Sequence, residues 1–244
     1  GSPRRADEAT EEIPRAMGSR LRILSANLLN GGADPEALCD LIRSLNVDVA
    51  ATQELAPEQA EALSEVLPFG ILHPDRQHNG MGLALRWPAR HDRVPLPRRD
   101  ALVARLHPET WTGLSSSVEV VNIHVTAPQL PPPWQAFSQR RGQLRGLLEY
   151  LDGSPGGRCA LVGDFNATPL WPLYRGLSRR LPDAACIDAR RRGTRPRPTW
   201  GPTPGGPRLL RIDHAFLGNL EVEAFRVVRI PGSDHSAVVV DLET

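Results

Sequence analysis

The chain has 244 residues, enough for one large α/β domain or two small ones, and enough to bury a sizeable core. Hydrophobic residues make up 40% and charged residues 23%, a balance typical of soluble globular proteins and unlike that of disordered or membrane-embedded chains. The formal net charge of +1 excludes a global basic field of the kind that advertises nucleic acid.

Residues 1–19 are polar and lack apolar periodicity, so a flexible tail is expected there and an ordered domain over residues 20–244. The N-terminus has no apolar signal-peptide core, and no run approaches the roughly 18 apolar residues of a membrane span. Leu21–Asn27 reads as a strand ended by Gly31-Gly32. Asp34-Pro35 opens a helix, with an N-cap acid and proline in the first turn, whose apolar face is Leu38, Leu41, Ile42 and Leu45. Val47–Thr52 is a buried strand, and a second helix runs from Pro57 to about Leu67. Strands follow over Phe69–His73, Gly82–Arg86, Ala101–His107 and Val118–Thr126. The Pro-rich stretch Leu130–Trp134 is expected to be a stiff loop, ahead of a helix from Phe137 to Leu151. Cys159–Val162 is a further buried strand. Arg190–Pro207, rich in Arg, Gly and Pro, is expected to be a long surface loop. The last third is β: Ile212–Leu217, Val222–Ile230 and Ala237–Leu242. Early β-α-β units followed by consecutive strands suggest one domain of two packed mixed sheets with helices outside.

Cys39, Cys159 and Cys186 fit no zinc spacing and make a poor disulfide framework, with one bridge through Cys186 left open. Every basic residue is Arg. Biased genome composition explains that, as does phosphate recognition by the guanidinium fork. The local clusters are Arg98-Arg99, Arg140-Arg141, Arg190-Arg191-Arg192 and Arg195/Arg197.

Six polar groups interrupt the apolar runs at strand termini: Asn27, Gln53-Glu54, Asn122-Ile123-His124, Gly163-Asp164-Phe165-Asn166, Arg211-Ile212-Asp213 and Ser233-Asp234-His235. Strand ends are where layered α/β proteins assemble sites. A carboxylate beside a buried run is costly unless paired or bound to a cation. Phosphoester hydrolysis needs a cation on anionic oxygens, a nucleophile made from water, and donors for developing charge. Carboxylates, amides and histidines supply all three. With no Cys/His metal set, an oxygen-liganded ion such as Mg²⁺ or Mn²⁺ is favoured over zinc. Taken singly each group has a structural alternative: Asp164–Asn166 as a turn, Asn27 as a turn residue, Glu54 as a helix cap, Asp213 as a partner of Arg211.

In this order the six groups resemble the endonuclease/exonuclease/phosphatase superfamily, over nearly the whole span from Leu21 to Leu242. The resemblance implies a four-layer α/β sandwich, two mixed β-sheets flanked by helices. It implies metal ligation by Glu54, with Asn27 and Asp234 beside it, and catalytic roles for His124, Asp164, Asn166, Asp213 and His235. Asp213 would orient His235, and Asp164 or His235 would be the general base. Asn122, Arg140 and Arg141 are candidates for substrate contact. His73, His78, His91, His107 and His214 match no catalytic position and read as surface or packing residues. The pattern departs from the family at Gly80–Pro88, and an acid to orient His124 is not obvious; Asn79 is the nearest polar residue. The leading expectation is a monomeric nuclease cleaving DNA or RNA phosphodiesters. The alternative is a phosphatase or phosphodiesterase acting on a lipid headgroup or small ester. A binding module on a degenerate scaffold would have been free to lose these side chains.

Overall fold

A computed structural model describes residues 20–153 and 157–244. The expected tail at 1–19 lies outside the described residues. The elements run β1 (Arg20–Asn27), α1 (Pro35–Leu45), β2 (Val49–Gln53), α2 (Pro57–Val66), β3 (Phe69–His73), β4 (Met81–Leu85), β5 (Arg90–Val94), β6 (Ala101–Leu106) and β7 (Val118–His124). They continue with α3 (Pro133–Gly153), β8 (Cys159–Asp164), α4 (Pro172–Ser178), α5 (Ala184–Arg191), β9 (Asp213–Gly218), β10 (Glu221–Arg229) and β11 (Ser236–Glu243). One sheet has the order β10-β11-β1-β2-β4-β3 and the other β5-β6-β7-β8-β9. Both are mixed, each with one parallel pair, β1/β2 and β7/β8.

Period-two alternation assigns the layers. Leu21 and Ile23 of β1, Val118 and Val120 of β7, Ala160 and Val162 of β8, Ala215 and Leu217 of β9, and Val238 and Val240 of β11 meet in one core between the sheets. The alternate residues face outward: Leu24, Ala26 and Val239 pack with α1 and α2 residues such as Leu38, Ile42 and Leu63. Val121, Ile123, Leu161 and Phe216 pack with Leu147 of α3 and Leu173 and Leu177 of α4. The result is helix, sheet, sheet, helix, the four-layer sandwich expected.

Local chemistry explains the helix starts. Asp34 accepts from the Ala37 amide at 2.9 Å, and Pro35 follows at the first turn. The helix ends at Asn46, whose left-handed backbone (φ 51°) closes it.

Three expectations need correction. The helix after the Pro-rich stretch begins at Pro133, so Trp134 is helical and not part of a loop; proline at a first turn loses no hydrogen bond. Residues 190–207 are not one long loop: Arg190 and Arg191 close α5, and Trp200 is bridged to both Leu210 and His235. The cysteines are all free, so no bridge involves Cys186. Elements not anticipated are α4, α5 and the edge strand β5, whose Arg-His-Asp-Arg run faces solvent and carries no apolar alternation.

Candidate active site

The inner-face register carries the candidate residues to one end of the sandwich. Asn27 continues the face of Leu21 and Ile23, Asp164 that of Ala160 and Val162, and His124 that of Val118 and Val120. β7 and β8 align His124 with Asp164, and β8 and β9 align Asp164 with Asp213. Glu54 follows the last residue of β2, Gln53, which is paired with Asn27, and Asp234-His235 immediately precede β11. They open onto a cleft of about 340 Å³ floored by Glu54, His124, Asp164, Asn166, Asp234 and His235.

Asp164 is the hub. Its Oδ2 accepts from Asn27 Nδ2 at 3.1 Å and Asn166 Nδ2 at 3.2 Å, and its Oδ1 from the Asn166 amide at 2.8 Å. The same Asn27 amide lies 3.3 Å from Glu54 Oε1. His124 Nε2 stands 3.6 Å from Asp164 and 3.9 Å from Glu54. Two carboxylate oxygens therefore converge on one amide and one ring nitrogen. Asp213 holds His235 Nδ1 with both oxygens, at 3.0 and 3.1 Å, leaving Nε2 toward Asp164 and Asp234, 3.9 Å from each. Arg211 pairs with Asp183, not with Asp213.

Burial and charge set the protonation states. Burial pushes Asp164 well above the usual carboxylate range, aided by Asp213 and opposed by His235. Burial would lower His235, but the charge and hydrogen bond of Asp213, with Asp164 and Asp234, raise it to about 9. His124 goes the other way: burial, then Arg99 and His235, hold it well below its ordinary value. Burial and charge thus favour an imidazolium at His235, a neutral ring at His124 and, at Asp164, a carboxyl that gives up its proton less readily than an ordinary one.

A match to the model described as "Endonuclease/Exonuclease/phosphatase family" covers residues 24–235. The chain belongs to this family. It is a metal-dependent hydrolase of phosphoester bonds. The fold is shared with humanized D. rerio TDP2 carrying 14 mutations, at TM-score 0.73 and 20% identity over 93% of this chain and 100% of that one. It is shared also with the human Nocturnin catalytic domain with bound sulfate, at 0.66 and 18% over 93% and 95%. D. rerio TDP2 complexed with single strand DNA product matches at 0.69 and 18% over 93% and 100%. A comparison with curated protein sequences finds no match.

The family's divalent cation fits this floor. Glu54 and Asp164 share the Asn27 amide, and Asp234 Oδ1 is buried with no hydrogen-bond partner, 3.9 Å from His235 Nε2. These are hard oxygen donors suited to such an ion. Asp164, Asp213 and His235 also converge within 4.8 Å. Within that trio Asp213 is already engaged with His235 Nδ1 through both oxygens.

Other expected residues sit differently. Asn27 turns its Nδ2 toward both carboxylates while its Oδ1 accepts from the Leu29 amide, so in this arrangement it spaces the acids. Asn122 is fully buried; its amide binds Thr52 O, Gly82 O and Gln53 Nε2, which ties the two sheets together beneath the floor and away from substrate. Arg140 is also buried, donating to Thr126 O and lying 5.0 Å over the Trp171 ring, whereas Arg141 is exposed on α3. The Arg190–Arg192 run is remote. Arg191 binds Val222 O, which pairs with Leu242 near the far end of β11, roughly 24 Å along the strand from His235 at about 3.4 Å per residue.

His78 and Arg208 went unrecognised in the sequence, and the structure gives Arg99 and Trp200 contacts at the site that the sequence did not indicate. His78 Nδ1 is 2.6 Å from Glu54 Oε2 and is not a mere surface residue. Arg99 holds the carbonyls of His124 and His78 and the side chain of Asn79, which is how Asn79 serves the site. Trp200 lines the cleft and donates to Asp234 Oδ2 at 2.9 Å. Arg208 binds Ser233 O, His235 O and Ser236 Oγ, stapling the turn before β11. The available signals were the Arg98-Arg99 cluster, the Trp200 loop position and, for His78, the neighbouring Asn79.

Proposed function

We propose that residues 20–244 form one phosphodiesterase domain that uses Mg²⁺ or Mn²⁺ held by Glu54, with Asp164 and Asp234 at its edge. The observation that carries this reading is the buried line Asp213–His235–Asp164, in which a carboxylate fixes one ring nitrogen and leaves the other facing an acid of raised pKa. When bound, the cation neutralises phosphate oxygens and lowers the barrier to attack by water. His235, charged through Asp213, donates from Nε2 to a phosphate oxygen as negative charge builds there. Asp164, set by Asn27 and Asn166, orients the attacking water and accepts its proton as general base. His124, neutral, donates a further hydrogen bond to the phosphate.

For the substrate we favour single-stranded nucleic acid. The indoles of Trp171 and Trp200 both line the cleft, and aromatic faces stack unpaired bases. The single strand DNA product bound to D. rerio TDP2 supports the same choice. The Arg190–Arg192 run is too far away to track a backbone, so a long duplex groove is not part of the proposal. A second reading, a lipid headgroup or small ester, draws on the exposed rim beside Trp171, where Trp134 is 75% and Leu170 76% exposed. The test is a panel of oligonucleotide, plasmid, sphingomyelin, phosphoinositide and bis-p-nitrophenyl phosphate, each with Mg²⁺, Mn²⁺ or chelator. Turnover of oligonucleotide that chelator abolishes is expected. Full activity in chelator, or turnover of lipid alone, would overturn the respective part.

A further inference from the structure

Glu54, the proposed principal ligand of the cation, has its second oxygen occupied. Oε1 faces Asn27 and His124, while Oε2 meets His78 Nδ1 at 2.6 Å. His78 lies on the loop between β3 and β4, and its side chain is 61% exposed. A solvent-facing ring that serves only packing needs no such placement, yet this loop is fastened on all sides. The His78 amide donates to Asn30 Oδ1 at 3.2 Å, and its carbonyl accepts from Arg99 Nη2 at 2.8 Å. Asn30 Nδ2 binds Arg76 O at 2.9 Å, and the Asp75 and Leu55 amides close the loop onto Leu55 O and Gly80 O.

The backbone is also held off its preferred conformation. Glu54 (φ 53°), Asn30 (φ 47°) and His78 (φ 63°) are all left-handed without being glycine. Glu54 and His78 are not residue types that visit this region readily, and such strain persists where the surroundings over-determine it, commonly at functional sites. Three converging on one carboxylate–imidazole contact mark that contact as built.

We propose that His78 is a loop-borne ligand that shares the divalent cation with Glu54 and biases the site toward Mn²⁺ over Mg²⁺. The inference rests on the reading of Glu54 as a metal ligand. Mg²⁺ takes oxygen ligands and surrenders its waters reluctantly, whereas imidazole nitrogen suits transition ions. An oxygen-only site would discriminate little between the two ions; one exchangeable nitrogen at its open edge favours the transition ion. The exposed ring is also free to rotate off Glu54 Oε2 as the ion enters.

The experiment loads the full chain with Mn²⁺ and records electron spin-echo envelope modulation. Dissociation constants for Mn²⁺ and Mg²⁺ are measured alongside by calorimetry, for the parent, H78A and E54Q. The parent should show imidazole-nitrogen modulation that H78A loses. H78A should weaken Mn²⁺ by about tenfold or more, on the scale of losing a metal-site partner, and leave Mg²⁺ within about twofold. Circular dichroism checks that H78A is folded, and H78Q, which keeps a polar side chain without the ring nitrogen, should give the same spectral loss. Nitrogen modulation that survives H78A, or equal weakening of both ions, would overturn the proposal and leave His78 as a hydrogen-bonding prop for Glu54. Mn²⁺ affinity unchanged in E54Q is a different failure: it would remove the Glu54 site itself, and the role of His78 with it.

Discussion

Two buried ionic clusters hang on the single sequence Arg211-Ile212-Asp213-His214, and they are opposites. Asp213 faces inward, to His235, Asp164 and the cleft. His214, one residue on, faces outward, where Arg211 pairs with Asp183 at 2.5 Å and receives support from Tyr174 OH and His214 Nδ1. In the outer cluster every charge has a counter-charge, and Asp183, despite its burial, is held far below the usual carboxylate range by His214 and Arg211. In the inner cluster carboxylates outnumber cations, Asp164 is pushed up, and Asp234 Oδ1 and His124 Nδ1 are left without partners. The outer cluster is complete without a ligand and the inner one is not. Matched charges fix the strand that carries Asp213, and mismatched charges mark the cluster that we propose takes a cation and a phosphate.

The sharpest way to break this contrast is Asp164→Asn. Activity should fall by at least about 10³-fold, on the scale of losing both a general base and an electrostatic partner. Stability should not fall with it. A carboxyl whose folded pKa is raised is destabilising once pH exceeds the unfolded value of about 3.9, because the folded state must surrender a proton it prefers to keep. Without metal at neutral pH, the variant should unfold no earlier than the parent. Early unfolding would show that Asp164 is structural and that the inner cluster is not mismatched.

Asp213→Asn tests the link between the clusters. The loss in kcat/KM should be about 10²–10⁴-fold, with the fold intact. Without the Asp213 charge and hydrogen bond, burial is opposed only by Asp164 and Asp234, and the His235 pKa should fall from about 9. The imidazolium is the active form, present below its pKa, so the alkaline limb of the pH–rate profile should move down toward neutrality. Asp213→Asn combined with His235→Ala should be little worse than the worse single change, because the two act as one unit. Multiplicative losses would separate them.

Asp183→Asn is the mirror experiment on the outer cluster. It strands Arg211 as a buried charge without its partner, at a cost of about 3–5 kcal/mol, read as a lowered midpoint in denaturant. At a temperature where the variant is folded, kcat should stay within about tenfold of the parent. Because the Asp183 pKa is depressed, its contribution is present above the ordinary carboxylate pKa and lost as pH falls through the folded value. The parent should therefore lose stability in acid more steeply than the variant. A large loss of kcat with unchanged stability would reverse the roles assigned to the two clusters.

The inner cluster was legible in the sequence because its residues interrupt apolar strands at their ends, where alternation fixes which face they share. Asp164, Asp213 and His235 could be placed that way, and the four-layer fold followed from the same strands. The outer cluster was not legible: Asp183 belongs to the N-cap of an unanticipated short helix, and His214 passed for packing because only the register of β9 turns it to the other face. Asn122 and Arg140 were misassigned for a related reason. A polar side chain in a motif looks the same in sequence whether it faces substrate or, as here, ties two sheets together or stacks on Trp171. His78, Arg99 and Arg208 act through loop contacts that have no periodicity to read.

The smallest expected effect concerns Asp234, where the two kinds of environment meet in one carboxylate. Its Oδ2 accepts from Trp200 Nε1 at 2.9 Å, while its Oδ1 is buried without a partner. Trp200→Phe keeps an aromatic wall in the cleft but removes the donor, and the backbone bridges from Trp200 to Leu210 and His235 are independent of the side chain. One hydrogen bond is worth about 0.5–1.5 kcal/mol net, so kcat/KM should fall by roughly two- to tenfold and the unfolding midpoint should barely move. If Asp234 faces the cation, the change should also appear as a shifted metal concentration for half-maximal activity, which loss of stacking alone would not produce. Trp200→Ala, lacking the wall as well, should then lose further on an oligonucleotide but not on bis-p-nitrophenyl phosphate, which has no base to stack. Equal losses of Phe and Ala variants on both substrates would assign the whole effect to the indole hydrogen bond and none to a stacking wall.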